Sequence, residues 1–173
     1  MLKDFLDEYE RYKAIGKKAL DQVPDDFLNQ VVGDDNNSIA VIVRHISGNL
    51  ISRFTDFLSS DGEKTWRDRD DEFENRAYSR KEVDDIWNKG WELLNAELAK
   101  LDESDLQRQV LIRGQRLTVH AALSRSVAHI AYHVGQIVLL ARIARGEEWR
   151  WISIPRGKSE EYNQKPTMEK KLE

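Results

Sequence analysis

The most apolar stretch of the chain, Leu117 to Ala144, holds two histidines one helical turn apart, His129 and His133. Thr118 as an N-cap and Arg145-Gly146 as a stop predict one long helix over it. Three other segments repeat their apolar residues at helical spacing. Leu2, Phe5, Leu6, Tyr9, Tyr12, Ile15, Ala19 and Leu20 predict a first helix ending near Val23-Pro24. Asn37 or Ser38 caps a second, with Ile39, Ile42, Val43, Ile46, Leu50, Phe54 and Phe57 as its stripe. Ser79-Arg80-Lys81-Glu82 is a capping box opening a third, which turns Val83, Ile86, Trp87, Trp91, Leu94, Leu98 and Leu101 inward before Asp102-Glu103-Ser104-Asp105.

The connections complete the expectation. Residues 25–37 read as a short connector, and Gln109 to Leu117 as an extended loop or short hairpin. Ser59 to Tyr78 lacks periodicity and is long for a compact domain, so it reads as a crossover between helices 2 and 3. Its Arg67 to Glu72 run alternates in sign and has the character of a solvated loop. The fold expected is all-α, a four-helix bundle with one long crossover. It forms a single domain over residues 1–163, with Trp149, Trp151 and Ile154 docking the C-terminal segment. Residues 164–173 form a polar tail with the composition of a disordered end.

Composition narrows the function classes. The 173 residues suit one domain, and 40% hydrophobic beside 34% charged residues is a helix-rich globular balance. A net charge of −4 gives no pull toward nucleic acid or acidic membranes. No basic stripe with interleaved aromatics exists, so neither partner is expected. The absence of cysteine removes disulfides, thiolate ligands and a cysteine nucleophile. Acidic residues occupy the place of a signal peptide's apolar core, and no run approaches 18 uninterrupted apolar residues. A cytoplasmic location is expected.

Imidazoles in an apolar helix need a hydrogen-bond or metal partner. On a helical wheel, His133, Gln136, Ala122, Leu140 and Ser126 all project to the same side as His129, forming one stripe around it. His120 projects to the opposite side and is excluded. His45 projects at the border of the second helix's stripe, in line with Asn49, Ser52 and Asp56. Three histidines from two helices are the ligand set of an open divalent-metal site. The competing reading is a hydrogen-bonded core pair with a half-exposed His45, and spacing does not choose between them. H-E-x-x-H does not apply, because Ile130-Ala131-Tyr132 separates the pair. Asn49, Gln136 and Asp56 are candidates to orient imidazole N–H groups. Gly157-Lys158-Ser159 ends like a P-loop but lacks its earlier glycine, Ile152 standing there.

Three segments resemble the DinB-like (YfiT-like) superfamily of metal-dependent bundles. Ser38-Ile-Ala-Val-Ile-Val-Arg-His45-Ile-Ser-Gly-Asn49 is similar to its helix with the first histidine ligand. His129-Ile-Ala-Tyr-His133-Val-Gly-Gln136 is similar to its H-x-x-x-H-x-G-Q segment. Ser153 to Glu160, with Thr55 to Leu58 and Asp61 to Lys64, resembles one subgroup. The resemblance implies a four-helix bundle in which His45, His129 and His133 bind one divalent metal, with positions left open to water or substrate. Zinc suits three imidazoles, as do nickel, iron and manganese. The resemblance also implies homodimers, a small-molecule substrate and a thiol cosubstrate. The expected activity is a metal-dependent transferase placing a low-molecular-weight thiol, of the bacillithiol or mycothiol type, on small electrophiles. Metal-dependent hydrolysis and a non-enzymatic metal-binding or structural dimer are the alternatives.

Overall fold

Three of the long helices begin where a capping side chain replaces a missing backbone partner. In a computed structural model, which describes residues 1–166, Ser38 Oγ accepts from the Val41 N–H at 3.3 Å and opens α2 (Ile39–Phe54). α1 (Leu2–Leu20) precedes it. The Ser79 box closes in both directions: its Oγ accepts from Glu82 N–H at 3.3 Å, and Glu82 Oε2 accepts from Ser79 N–H at 2.8 Å. α3 (Arg80–Leu98) follows. Thr118 Oγ1 accepts from Ala121 N–H at 3.1 Å at the start of α4 (Val119–Arg145), which ends at Gly146 with φ 53. Such bonds are worth about 1 kcal/mol each.

Between α3 and α4 the chain makes an antiparallel hairpin, β1 (Gln109–Ile112) and β2 (Gln115–Thr118), with Ile112 opposite Gln115. Arg113 and Gly114 both have positive φ, 54 and 71, as a two-residue hairpin turn requires. The Asp61 carboxylate accepts from the N–H groups of Arg113 at 2.8 Å and Gly114 at 2.7 Å. The loop or hairpin expected here is therefore a hairpin, tied to the start of the crossover.

The described structure is predominantly helical, with this hairpin its sole sheet, in agreement with an all-α fold. α2 packs on α3 and α1 on α4, and α2 also meets α4. Trp87, Trp91, Leu50, Leu94, Leu98 and Tyr9 are fully buried among them. The Tyr9 hydroxyl donates to the Leu123 carbonyl at 3.4 Å. Gly90 lets α3 lie directly on α2: a Cβ there would be 2.8 Å from Ser47 Cα.

Three expectations change. α1 ends at Leu20, because Asp21 to Val23 leave the helix in tight turns before Pro24. Ile152, with Trp149, packs against the core, whereas Trp151 stays largely exposed against the Arg142 guanidinium at 4.9 Å. A short helix, α5 (Ser159–Gln164), forms near the end of the described chain. The expected polar tail lies outside the described residues from 167 onward. By length and composition alone, the segment Val119–Glu148 could cross a membrane, an 18-residue window within it having a mean hydropathy of 1.4.

Candidate metal centre

His45 lies in the middle of α2, and His129 and His133 lie one turn apart on α4, so the α2–α4 contact decides whether the three meet. They do. His129 Nε2 is 3.1 Å from His45 Nε2 and 3.1 Å from His133 Nε2, and one ligand atom from each residue falls within 4.8 Å of the others. Around a zinc-sized ion with Zn–N bonds of about 2.0–2.1 Å, neighbouring nitrogens stand roughly 3 Å apart. The spacing fits one shared cation.

The hydrogen bonds behind the rings define the tautomers. His45 Nδ1 lies 2.9 Å from Glu72 Oε2, and His133 Nδ1 lies 2.7 Å from Gln136 Oε1. Both acceptors require a proton on Nδ1, so Nε2 of each ring presents a lone pair toward His129. His129 Nε2 can offer at most one proton to the pair facing it. At least one of these facing nitrogen pairs is left without a proton between them. A cation resolves that, and the donor set is therefore the right one for a divalent metal.

Electrostatics keep His129 and His133 neutral, as metal ligation requires. Burial pushes His129 down to about 3, with His133 and His45 adding to the effect. Burial also pushes His133 down to about 4, partly offset by its bond to Gln136. Glu72 moves the opposite way from what burial alone would do. Desolvation raises it, but hydrogen bonds from His45 and Arg67 outweigh that and hold it below the usual carboxylate range.

Glu72 was not among the expected site residues, and its loop was expected to be solvated. The structure corrects this at the two ends of the Arg67–Glu72 run, whose side chains are only 3% and 7% exposed, while Asp68, Arg69 and Asp70 between them are exposed. Arg67 donates through Nε and Nη2 to the two Glu72 oxygens at 2.7 and 2.8 Å. Arg44, on α2, pairs with Asp71 and anchors the same turn, while Phe73 stacks at 4.8 Å from the His45 ring. The two ends of this sign-alternating run fold inward because Arg67 and Glu72 pair with each other and Glu72 accepts a hydrogen bond from an α2 imidazole. Gly48 is the available sequence signal. It lies one turn after His45, and a Cβ there would overlap the Glu72 carboxylate.

The other expected residues separate. Gln136 holds His133 as anticipated. Asn49 lines the cleft beside the cluster without bonding an imidazole. Asp56 is exposed at the end of α2, in a left-handed conformation with φ 51, and bonds no histidine among the described residues. It turns the chain: its carbonyl accepts from the N–H groups of Ser59 and Ser60 at 3.0 Å. His120 faces away, its ring edge-on to Phe5 at 5.3 Å.

A cleft of about 180 Å³ opens beside the cluster, with His45 and His129 in its wall. Phe54, Phe57, Ile112 and Ala122 supply apolar lining, and Ser126 a buried hydroxyl. Ser126 Oγ faces the Tyr9 side chain but lacks the geometry of a hydrogen bond to any protein group.

These features define a helical protein with a three-imidazole cluster close enough to bind a metal ion. Over residues 1–158 the chain matches the family described as "Protein of unknown function (DUF1572)", and it belongs to that family. Comparison with curated proteins finds no match.

Proposed function

We propose that the chain is a DinB-like four-helix bundle, one domain over residues 1–163, in which His45, His129 and His133 hold one divalent metal. Its activity is transfer of a low-molecular-weight thiol, of the bacillithiol or mycothiol type, to a small electrophile. The convergence of imidazole lone pairs with too few protons between them carries this reading. Zinc suits these donors best, and nickel, iron or manganese suit them too. Bound there, the metal would acidify a coordinated thiol or water to its anion.

The chain's own residues supply the rest. Glu72 and Gln136 orient His45 and His133 through Nδ1. Phe54, Phe57 and Ile112 keep part of the cleft dry, and Ala122 leaves room for a small ligand. With no cysteine in the sequence, the sulfur must arrive with the cosubstrate. The exposed Tyr132, Leu139 and Ile143 on α4 support a homodimer in which this face meets a second copy. The expected compartment is the cytoplasm.

The test is elemental analysis of protein purified without an affinity tag, followed by cobalt substitution and titration with thiols. One metal per chain, lost in His129→Ala/His133→Ala, and a thiolate-to-cobalt absorption band are expected. Metal-free protein that does not take up zinc or cobalt would overturn the metal site. A loaded site that gives no thiolate band would turn the reading to hydrolysis by bound water.

A further inference from the structure

We infer that the cleft beside the histidine cluster recognises a short carboxylate, with Arg53 and Arg125 as its specificity-determining residues. The inference rests on the proposed function only in taking this cleft as the place where substrate binds.

The chain carries a net charge of −4, yet five of the residues lining this cleft are arginines and none is an aspartate or glutamate. Their pairing shows which are available. Arg67 is saturated by both oxygens of Glu72. Arg69 lies over the Phe73 ring at 4.9 Å and 3.7 Å from Asp70. Arg113 and Arg53 share one carboxylate, Glu63, at 2.9 and 3.3 Å. Arg53 meets it through Nη1 alone, although its side chain is only 15% exposed. A largely buried guanidinium with donors to spare is costly unless something else accepts from it. Arg125 has no hydrogen bond or ion pair among the described residues, and it stands at the cleft beside Ser126.

The lining also indicates what kind of anion fits. Two available guanidinium groups present the planar fork that matches a carboxylate. The apolar lining of Phe54, Phe57, Ile112 and Ala122 suits a short carbon chain rather than a bare inorganic ion. A volume of about 180 Å³ suits a ligand of a few carbons. Ser126 Oγ adds a buried hydroxyl without a protein partner.

The experiment is calorimetric titration of the full chain, metal-free and zinc-loaded, with succinate, neutral succinamide and inorganic phosphate at low salt. Succinate is expected to bind at least tenfold tighter than either comparator. Arg125→Gln and Arg53→Gln should each weaken it at least fivefold, with zinc content and circular dichroism unchanged. Arg125 is exposed, so its variant keeps the test valid if Arg53→Gln fails to fold. Equal binding of succinamide or phosphate would overturn the carboxylate assignment, and unchanged succinate affinity in Arg125→Gln would overturn the arginine assignment. The zinc measurement reports separately on the metal site. Arginine-dependent succinate binding without zinc uptake sinks the metal reading alone, and zinc uptake without that dependence sinks the carboxylate reading alone.

Discussion

Glu72 and His45 are 27 residues apart in sequence, and in the fold the Glu72 carboxylate accepts from His45 Nδ1 at 2.9 Å. A carboxylate behind an imidazole fixes the ring's tautomer and orientation and raises its basicity toward a cation. The same carboxylate takes two further bonds from Arg67, so the crossover is locked to α2 at the histidine itself.

Glu72→Gln should lower zinc affinity about 10- to 100-fold, the range typical of losing such an outer partner. Competition with a chromophoric chelator measures it. Affinity within twofold of the parent would mean that Glu72 only holds the loop in place.

Gly48→Ala should reach the same endpoint by a different route. The new methyl group overlaps the Glu72 carboxylate and must push it off His45. Helix propensity alone favours alanine by about 1 kcal/mol, so a weaker zinc site in a chain of little-changed stability would isolate the positioning effect. The double variant Gly48→Ala/Glu72→Gln should bind zinc no worse than Glu72→Gln, because both act on one contact.

Gly90→Ala tests the α2–α3 contact. Its Cβ would meet Ser47 Cα at 2.8 Å, and a backbone atom cannot swing aside as a side chain can. A cost of about 1–3 kcal/mol is expected from overpacking, read as a lower urea midpoint. An unchanged midpoint would show that the two helices separate freely.

The metal-free protein should lose stability in acid through its histidines. His129 and His133 titrate near 3 and 4 in the folded chain, below the ordinary value of 6.5. Between those limits the unfolded chain binds more protons, so stability is complete above about pH 6.5 and falls as pH drops toward 4 and then 3. Urea midpoints at pH 7.5, 5.5 and 4.5 should fall more steeply for the parent than for His129→Ala/His133→Ala. Parallel slopes would contradict the assignment.

Much of this arrangement was legible in the residues. The capping box at Ser79, the Thr118 cap and the His129/His133 stripe all depend on groups within a turn or two of each other, and the structure has each of them. Gln136 was legible for the same reason, one turn beyond His133. Asp56 does not share the His45 side of α2 because helical spacing holds only to Phe54, and Asp56 itself has a left-handed backbone. Glu72 was missed because a sign-alternating run reads as solvated unless its partners are known, and two of those partners, Arg44 and His45, lie on another element.

What the sequence alone determined is therefore local: four long helices, where each starts, which faces are apolar and which imidazoles share a face. These follow from the 3.6-residue repeat and from side chains that cap the nearest free N–H groups. The tertiary structure decided what those faces meet. Only the packing of α2 on α4 brings His45 within 3.1 Å of His129, and only the path of the crossover buries Glu72 and Arg67 behind it. Contacts across tens of residues depend on the whole balance of burial and charge pairing, which no short window of sequence contains.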